Sequence, residues 1–125
     1  MQTVTPYLLY EDARAALDFL STAFGFEETR RNSSSDGQVS HAEMSYRGGE
    51  IHLGQPSHPS SPRSYGGTTV LLYVYVDDVD THCDRARAAG AEIVDEPADQ
   101  SYGERRYHCR DVEGHSWYFA QHADG

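Results

Sequence analysis

Hydrophobic positions in the first half of the chain alternate between strand-like runs and helical spacing. Residues 4–10 are predicted as a strand, and Pro6 is compatible with this because proline is tolerated near a strand start. Asp12 is suited to cap a helix whose apolar positions run from Ala13 to Phe24, and Gly25 supplies the stop. Three further strands are predicted at residues 26–31, 39–47 and 50–54, with a tight turn at Gly48 and Gly49.

The second half of the chain repeats this order of elements. A β-prone strand is predicted at residues 68–76, and Asp78 caps a helix that ends at Gly90. Residues 91–94 are predicted to be short and extended. Two last strands follow at residues 102–111 and 115–122.

Matched positions in the two halves indicate a duplicated unit. Tyr10 and Val76 lie 66 residues apart, and so do Asp12 and Asp78. Each sheet has one face covered by its helix and needs the other unit to complete the fold. We therefore predict one α+β domain of two β-α-β-β-β modules that form a curved mixed sheet around a cleft. Module one covers residues 1–54, a linker covers 55–67, and module two covers 68–122.

The linker at residues 55–67 is rich in Pro, Ser and Gly. This composition predicts neither a helix nor a central strand, and it is typical of a mobile connection. Whether the segment closes over the cleft is left open by the sequence.

The net charge of −10 narrows the classes of partner. Phosphates of nucleic acids and anionic membranes would be repelled, and no basic stripe offsets the repulsion.

The first ten residues lack the basic segment followed by an apolar segment that is typical of a signal peptide, and no apolar stretch is long enough to span a bilayer. We expect a cytoplasmic protein. Cys83 and Cys109 fall on apolar faces and are predicted to be small buried residues.

Alternation along the strands divides their side chains between the helices and the cleft. Ile51, Leu72 and Trp117 belong to the apolar sets that the helices cover, and Leu71 belongs to the opposite face. The cleft face then carries several aromatic residues, with Tyr102 at the rim. The aromatic residues on this face are Tyr7, Tyr73, Tyr75 and Tyr118.

The sequence resembles the vicinal oxygen chelate superfamily, which contains the glyoxalase and bleomycin-resistance proteins. The resemblance rests on Pro6-Tyr7-Leu8, the helix region Asp12 to Gly25 with Phe19 in its middle, and the segments at residues 76–79 and 102–105. Residues 110–117 resemble the family's D-P-x-G-H-x-W ending, with Val112 where proline is usual. The resemblance implies two modules around a cupped ligand site and a homodimer. It does not fix the activity, since relatives include lyases, epimerases, dioxygenases, thiol transferases and drug-binding proteins.

The resemblance also indicates where a metal would bind. Metal-dependent members carry His, Glu or Gln at four cleft positions, which correspond here to Thr5, His52, Leu71 and Tyr118. Only His52 is a good ligand for a divalent ion. No metal cofactor is therefore predicted at these positions.

Other residues leave two alternatives for chemistry in the cleft. A rearranged metal site could be built from His41, Glu43, His52 and His108, because an H-x-E strand puts both side chains on one face. Glu50 beside His52 could act as an acid/base pair if water is excluded. No nucleophile motif is present, and no catalytic residue is predicted.

Aromatic walls with a few polar groups are typical of a site for a flat organic molecule. We therefore predict a non-catalytic protein that sequesters an aromatic or cationic small molecule. The alternatives are a metal-dependent lyase, isomerase or dioxygenase of the same superfamily, and a scaffold or regulatory dimer without a dedicated ligand. The predicted ligand-binding residues are Tyr7, Leu9, His41, Glu43, His52, Tyr73, Tyr75, Tyr102, Arg106, His108 and Tyr118.

Overall fold

Module one folds as its hydrophobic pattern predicts. A computed structural model describes residues 2–122. The elements are β1 (Tyr7–Leu9), α1 (Ala13–Phe19), a π-helical turn (Leu20–Phe24), β2 (Glu27–Ser33), β3 (Val39–Tyr46) and β4 (Gly49–Gly54). Strand β1 pairs in parallel with β4, and the sheet has the order β1-β4-β3-β2. Helix α1 widens into the π-helical turn at its C-terminal end before Gly25.

The linker contains a short helix, α2 (Pro62–Tyr65), so the prediction that it holds no helix was wrong. The Ser61 side chain accepts a hydrogen bond from the Ser64 N–H (3.2 Å), and Pro62 occupies the first turn, where its missing N–H costs nothing. The Arg63 N–H donates to the Glu113 carbonyl (3.1 Å). The linker is thereby tied to the last turn of the chain.

Module two repeats the topology of module one. Its elements are β5 (Leu71–Tyr75), α3 (Val79–Ala88), β6 (Glu92–Asp99), β7 (Glu104–Arg110) and β8 (Ser116–His122). The sheet has the order β5-β8-β7-β6, so the α+β fold of two four-stranded mixed sheets is confirmed. The Asp78 carboxylate accepts from the Thr81 N–H (3.1 Å), as Asp12 does from the Ala15 N–H (3.1 Å).

Several predicted boundaries differ from the structure. The predicted short segment at 91–94 is the start of β6, which continues through Pro97 to Asp99. Proline is tolerated there because β6 lies at the edge of its sheet. The β3–β4 turn is centred on Arg47 (φ 49°) and Gly48 (φ 88°) rather than on the two glycines. Positive φ at both central residues matches the twist of a two-residue hairpin.

The modules share one aromatic core between their helices and sheets. The Phe24 ring from module one lies 5.1 Å from the Trp117 ring and 4.7 Å from the Phe119 ring of module two. Cys83 and Cys109 are buried, as predicted. None of the helices that the structure describes is long and apolar enough to cross a membrane.

A buried carboxylate in the last turn accepts four hydrogen bonds, and one of them, from Tyr10, joins the modules. Asp111 accepts from the Tyr10 hydroxyl (2.6 Å) and from the Trp117 Nε1–H (3.1 Å). It also accepts from the backbone N–H groups of Glu113 and His115, both at 3.0 Å. Burial and the adjacent Asp111 carboxylate raise the pKa of Tyr10, so its hydroxyl stays protonated and donates.

A second carboxylate in the same turn caps helix α1. The buried Glu113 side chain accepts from the backbone N–H groups of Glu11 (2.6 Å) and Asp12 (2.9 Å). These donors precede the first helical turn and have no partner within the helix. The last turn of module two therefore fixes the start of the helix of module one.

His82 on α3 is a buried histidine that joins the modules and makes stability depend on pH. Its Nδ1 lies 2.6 Å from the Tyr107 hydroxyl and its Nε2 lies 3.0 Å from the Phe24 carbonyl. The neutral ring with the proton on Nε2 satisfies both contacts. Burial lowers the pKa of His82, so the folded protein takes up this proton less readily than the unfolded chain.

The free energy of unfolding should therefore fall as the pH drops below about 6.5, the ordinary pKa of histidine. Urea unfolding at a series of pH values between neutral and mildly acidic measures this slope. His82→Gln should flatten it, whereas His58→Gln, in the exposed part of the linker, should leave it unchanged. An identical slope in wild type and His82→Gln would show that His82 does not contribute.

Candidate functional site

Burial along the strands follows the predicted alternation. Leu8 and Tyr10 are buried under the helices, whereas Tyr7 is 50% exposed and Leu9 39% exposed. Leu71 is also exposed on the face away from the helices. The predicted ligand-binding residues therefore lie on the open faces of the two sheets.

A cavity of about 860 Å³ lies between the edge of the first sheet and strand β5. Three of the predicted residues line it: Tyr7 from β1, and Tyr73 and Tyr75 from β5. Leu72 and Val74 also line the cavity, although the alternation predicted that the helices cover them; the helices do not extend over the β5 edge. Further lining residues that the sequence did not predict include Phe26, Tyr46 and His115.

The remaining predicted residues fall into two separate groups rather than into one shared hollow. The first group lies on the first sheet beside Tyr7. The second lies on the second sheet, where Arg106, His108 and Tyr118 line a smaller cavity of about 480 Å³. Leu9 lines neither cavity, and its carbonyl accepts from His115 Nε2 (2.9 Å).

On the first sheet, two histidines meet one carboxylate. Glu43 Oε2 lies 3.0 Å from His41 Nε2 and 3.9 Å from His52 Nε2. The Tyr7 hydroxyl lies 2.9 Å from His41 Nδ1, and Glu50 Oε2 lies 2.8 Å from His52 Nε2. The hydrogen bond from His41 lowers the pKa of Glu43, which keeps this carboxylate ionised.

On the second sheet, three rings from neighbouring strands form a stacked row. Tyr118 on β8 lies 5.9 Å from Tyr73 on β5 and 4.3 Å from His108 on β7, with interplanar angles of 6° in both pairs. The Arg106 guanidinium lies 4.7 Å from the centre of the Tyr118 ring. Burial lowers the pKa of His108, and its Nε2 lies 2.6 Å from the Ser116 hydroxyl. We call Tyr73, Tyr118 and His108 the ring row.

Glu104 orients the tyrosines at one end of the ring row. The hydroxyls of Tyr73 and Tyr75 each donate to its carboxylate at 2.5 Å. These two hydrogen bonds lower the pKa of Glu104, so the nearly buried group keeps its negative charge. The Tyr102 hydroxyl lies 3.4 Å from that of Tyr73, at the rim. The sequence prediction omitted Glu104, although alternation from Arg106 already put it on the same face.

The four positions at which the family resemblance implies metal ligands do not fit a metal in this chain. Leu71 has no donor atom, and the Tyr118 ring is packed between His108 and Tyr73. Thr5 offers only a neutral hydroxyl, which is a poor ligand for a divalent ion. His52 alone is suitable there. We therefore infer no metal-dependent reaction step at these four positions.

Comparison with a family model and with a similar protein shows the family of this chain. The model of the Glyoxalase/Bleomycin resistance protein/Dioxygenase superfamily matches residues 3–119. The uncharacterised protein Mb0911c of Mycobacterium bovis is 34% identical over 124 residues, which cover 94% of this chain and 82% of that protein.

Solved structures share the fold over nearly the whole chain. TioX from Micromonospora sp. ML1 is 36% identical with a TM-score of 0.79, covering 98% of this chain and 99% of TioX. The fosfomycin resistance protein FosX from Listeria monocytogenes is 18% identical with a TM-score of 0.72, covering 97% of this chain and 93% of FosX. At that identity, the match to FosX shows the fold alone.

Proposed function

Because this chain belongs to the Glyoxalase/Bleomycin resistance protein/Dioxygenase superfamily, we propose that it binds a small molecule and sequesters it without catalysis. The compound is aromatic or cationic. The observation that carries the proposal is the ring row with the tyrosines beside it, on the open face of the second sheet.

Exposed aromatic surface is the main binding element of this site. Tyr73 and Tyr75 are 38% and 47% exposed, and both line the large cavity. An aromatic contact contributes about 0.5–1.5 kcal/mol beyond the area that it buries. Their hydroxyls are held by Glu104, so the rings are oriented before the ligand arrives.

Charge favours a cationic group in the ligand. Glu104 carries a negative charge behind Tyr73 and Tyr75, and the chain as a whole has a net charge of −10. Ring faces attract cations by about 0.5–2 kcal/mol. The Arg106 guanidinium already covers the Tyr118 ring, so a planar cation would bind through the faces of Tyr73 and Tyr75 and the Glu104 carboxylate behind them.

The residues of the site support binding rather than turnover. The family's metal positions carry Leu71, Thr5 and Tyr118, which are not ligands for a catalytic ion. Cys109 is buried on the helix side and is not available as a nucleophile in the cleft. The Ser116 hydroxyl lies 2.6 Å from His108 Nε2, and we propose that this hydrogen bond is structural, since the His108 ring is stacked on Tyr118. Binding energy in such a site stabilises the complex and not a transition state.

We also propose a cytoplasmic homodimer. Strands β1 and β5 lie at the edges of their sheets and expose Tyr7 and Leu71. Exposed edges with apolar side chains favour pairing with another chain. Light scattering should give a mass of twice 14.0 kDa; a mass of 14.0 kDa would contradict the dimer.

A binding screen tests the proposed function. Planar aromatic amines and neutral aromatic compounds should raise the melting temperature, and the aromatic amines should raise it more. Calorimetry on the compounds that respond should give saturable binding with a negative heat-capacity change. If no compound in a broad aromatic library binds saturably, the proposal is wrong.

A further inference from the structure

The geometry on the first sheet points to a transition-metal site formed by His41, Glu43 and His52. This inference is independent of the proposed small-molecule function. Two of its three residues come from β3, so it differs from the four positions inferred from the family resemblance. Its metal class is a divalent late first-row ion such as Zn²⁺ or Co²⁺, which two imidazoles and a carboxylate bind well.

Strand register brings the three side chains together. Glu43 on β3 lies directly opposite His52 on β4, and His41 lies two residues away on the same face of β3. One ligand atom of each residue lies within 4.8 Å of those of the other two. These atoms sit on two hydrogen-bonded strands, so their spacing is fixed by the backbone ladder rather than by loops.

His41 Nε2 is hydrogen-bonded to Glu43, and His52 Nε2 lies near the same carboxylate oxygen while its own hydrogen bond goes to Glu50. His41 Nε2 and His52 Nε2 lie 3.0 Å and 3.9 Å from Glu43 Oε2. Ligands at about 2.0–2.2 Å from a tetrahedral ion are separated by distances between these values. A small shift of the side chains would therefore admit the ion.

Tyr7 supports one of the ligands from outside the site. Its hydroxyl lies 2.9 Å from His41 Nδ1. A histidine that binds metal through Nε2 carries its proton on Nδ1 and donates it to a neighbouring oxygen. Tyr7 provides that oxygen, and it orients the ring at the same time.

The charges around the cluster favour a cation. Glu43 and Glu50 contribute two carboxylates, and their ion pairs within 4 Å, among residues 2–122, are with His41 and His52 only. All four side chains are between about a fifth and a third exposed. A divalent ion would neutralise this pair of negative charges, and solvent can reach the site to deliver it.

Cobalt binding tests the inference directly. Tag-free protein stripped with a chelator and dialysed should bind one Co²⁺ per chain, with visible absorption of a four- or five-coordinate ion, and Zn²⁺ should displace it. His41→Ala, Glu43→Gln and His52→Ala should each weaken binding by more than about 100-fold, since they remove a ligand. Tyr7→Phe should weaken it by about 10-fold, since it removes only the outer support.

Two control variants separate the site from general effects. His58→Ala and Glu28→Gln remove an exposed histidine of the linker and a carboxylate of β2 paired with Arg31, and should leave Co²⁺ binding unchanged. Circular dichroism of the metal-free variants checks folding, and Glu43→Gln preserves the side-chain shape if His52→Ala unfolds. Lack of stoichiometric Co²⁺ binding, or full binding by Glu43→Gln, would overturn the inference whatever the outcome of the aromatic ligand screen.

Discussion

Replacing Asp111 with alanine should lower the free energy of unfolding by about 3–5 kcal/mol. The carboxylate is buried and accepts four hydrogen bonds, two of them from the side chains of Tyr10 and Trp117. Both of those side chains are fully buried, so without Asp111 their O–H and N–H groups could not form hydrogen bonds with water instead. The loss therefore includes the cost of unsatisfied polar groups as well as the lost bonds.

Urea unfolding followed by circular dichroism measures the loss. Asp84→Ala is the matched control, because Asp84 is exposed on α3 and its removal should change stability by no more than about 0.5 kcal/mol. If Asp111→Ala behaves like this control, the hydrogen bonds to Asp111 do not stabilise the fold to the expected extent.

Removing both rings at the cavity edge should weaken ligand binding by about 100-fold. Stacking on an aromatic side chain is worth about 1–3 kcal/mol by alanine substitution, and each 1.4 kcal/mol is a factor of ten. The variant is the double substitution Tyr73→Ala/Tyr75→Ala, and calorimetry measures its dissociation constant for a compound that binds in the aromatic screen. Tyr73→Phe/Tyr75→Phe keeps the rings and loses only the hydroxyl bonds to Glu104, so its loss should be less than about 10-fold.

Tyr65 supplies the control for this experiment. It is 67% exposed on α2 and lines none of the cavities described above. Tyr65→Ala should bind the compound with wild-type affinity. Equal affinities for the double alanine variant and Tyr65→Ala would move the ligand site away from β5.

Local pattern was sufficient to predict most of the fold. Asp12 and Asp78 each cap a helix, and the alternation separates a buried from two exposed side chains along β1 and half-buried from exposed ones along β5. The helix at Pro62–Tyr65 was not predicted, because a Pro- and Ser-rich segment is normally a loop. The N-cap at Ser61 starts a helix of only one turn, which is too short to show a helical pattern of apolar residues. β6 was cut short, since Pro97 is normally a reason to end a strand.

Contacts between distant residues could not be predicted from the sequence. Tyr10 and Asp111 are 101 residues apart, and His82 meets the Phe24 carbonyl over a separation of 58. Such bonds depend on how the modules pack, which no local pattern encodes.

The candidate metal residues show where sequence reasoning stopped. The H-x-E pattern of His41 and Glu43 indicated one shared face, but the register that sets His52 opposite Glu43 appears only in the paired strands. His108 was grouped with them in the sequence prediction, yet it lies in the ring row on the other sheet. A cluster on the first sheet thus replaces the mixed one that the sequence allowed.

The fate of a bound compound tests the central claim most directly. The protein is incubated with a small excess of a compound that binds in the screen, then denatured, and the compound is quantified by liquid chromatography and mass spectrometry. Sequestration predicts that all of it returns chemically unchanged, with one molecule held per site before denaturation. A product that accumulates beyond one equivalent per site, and that needs the folded protein, would contradict the account.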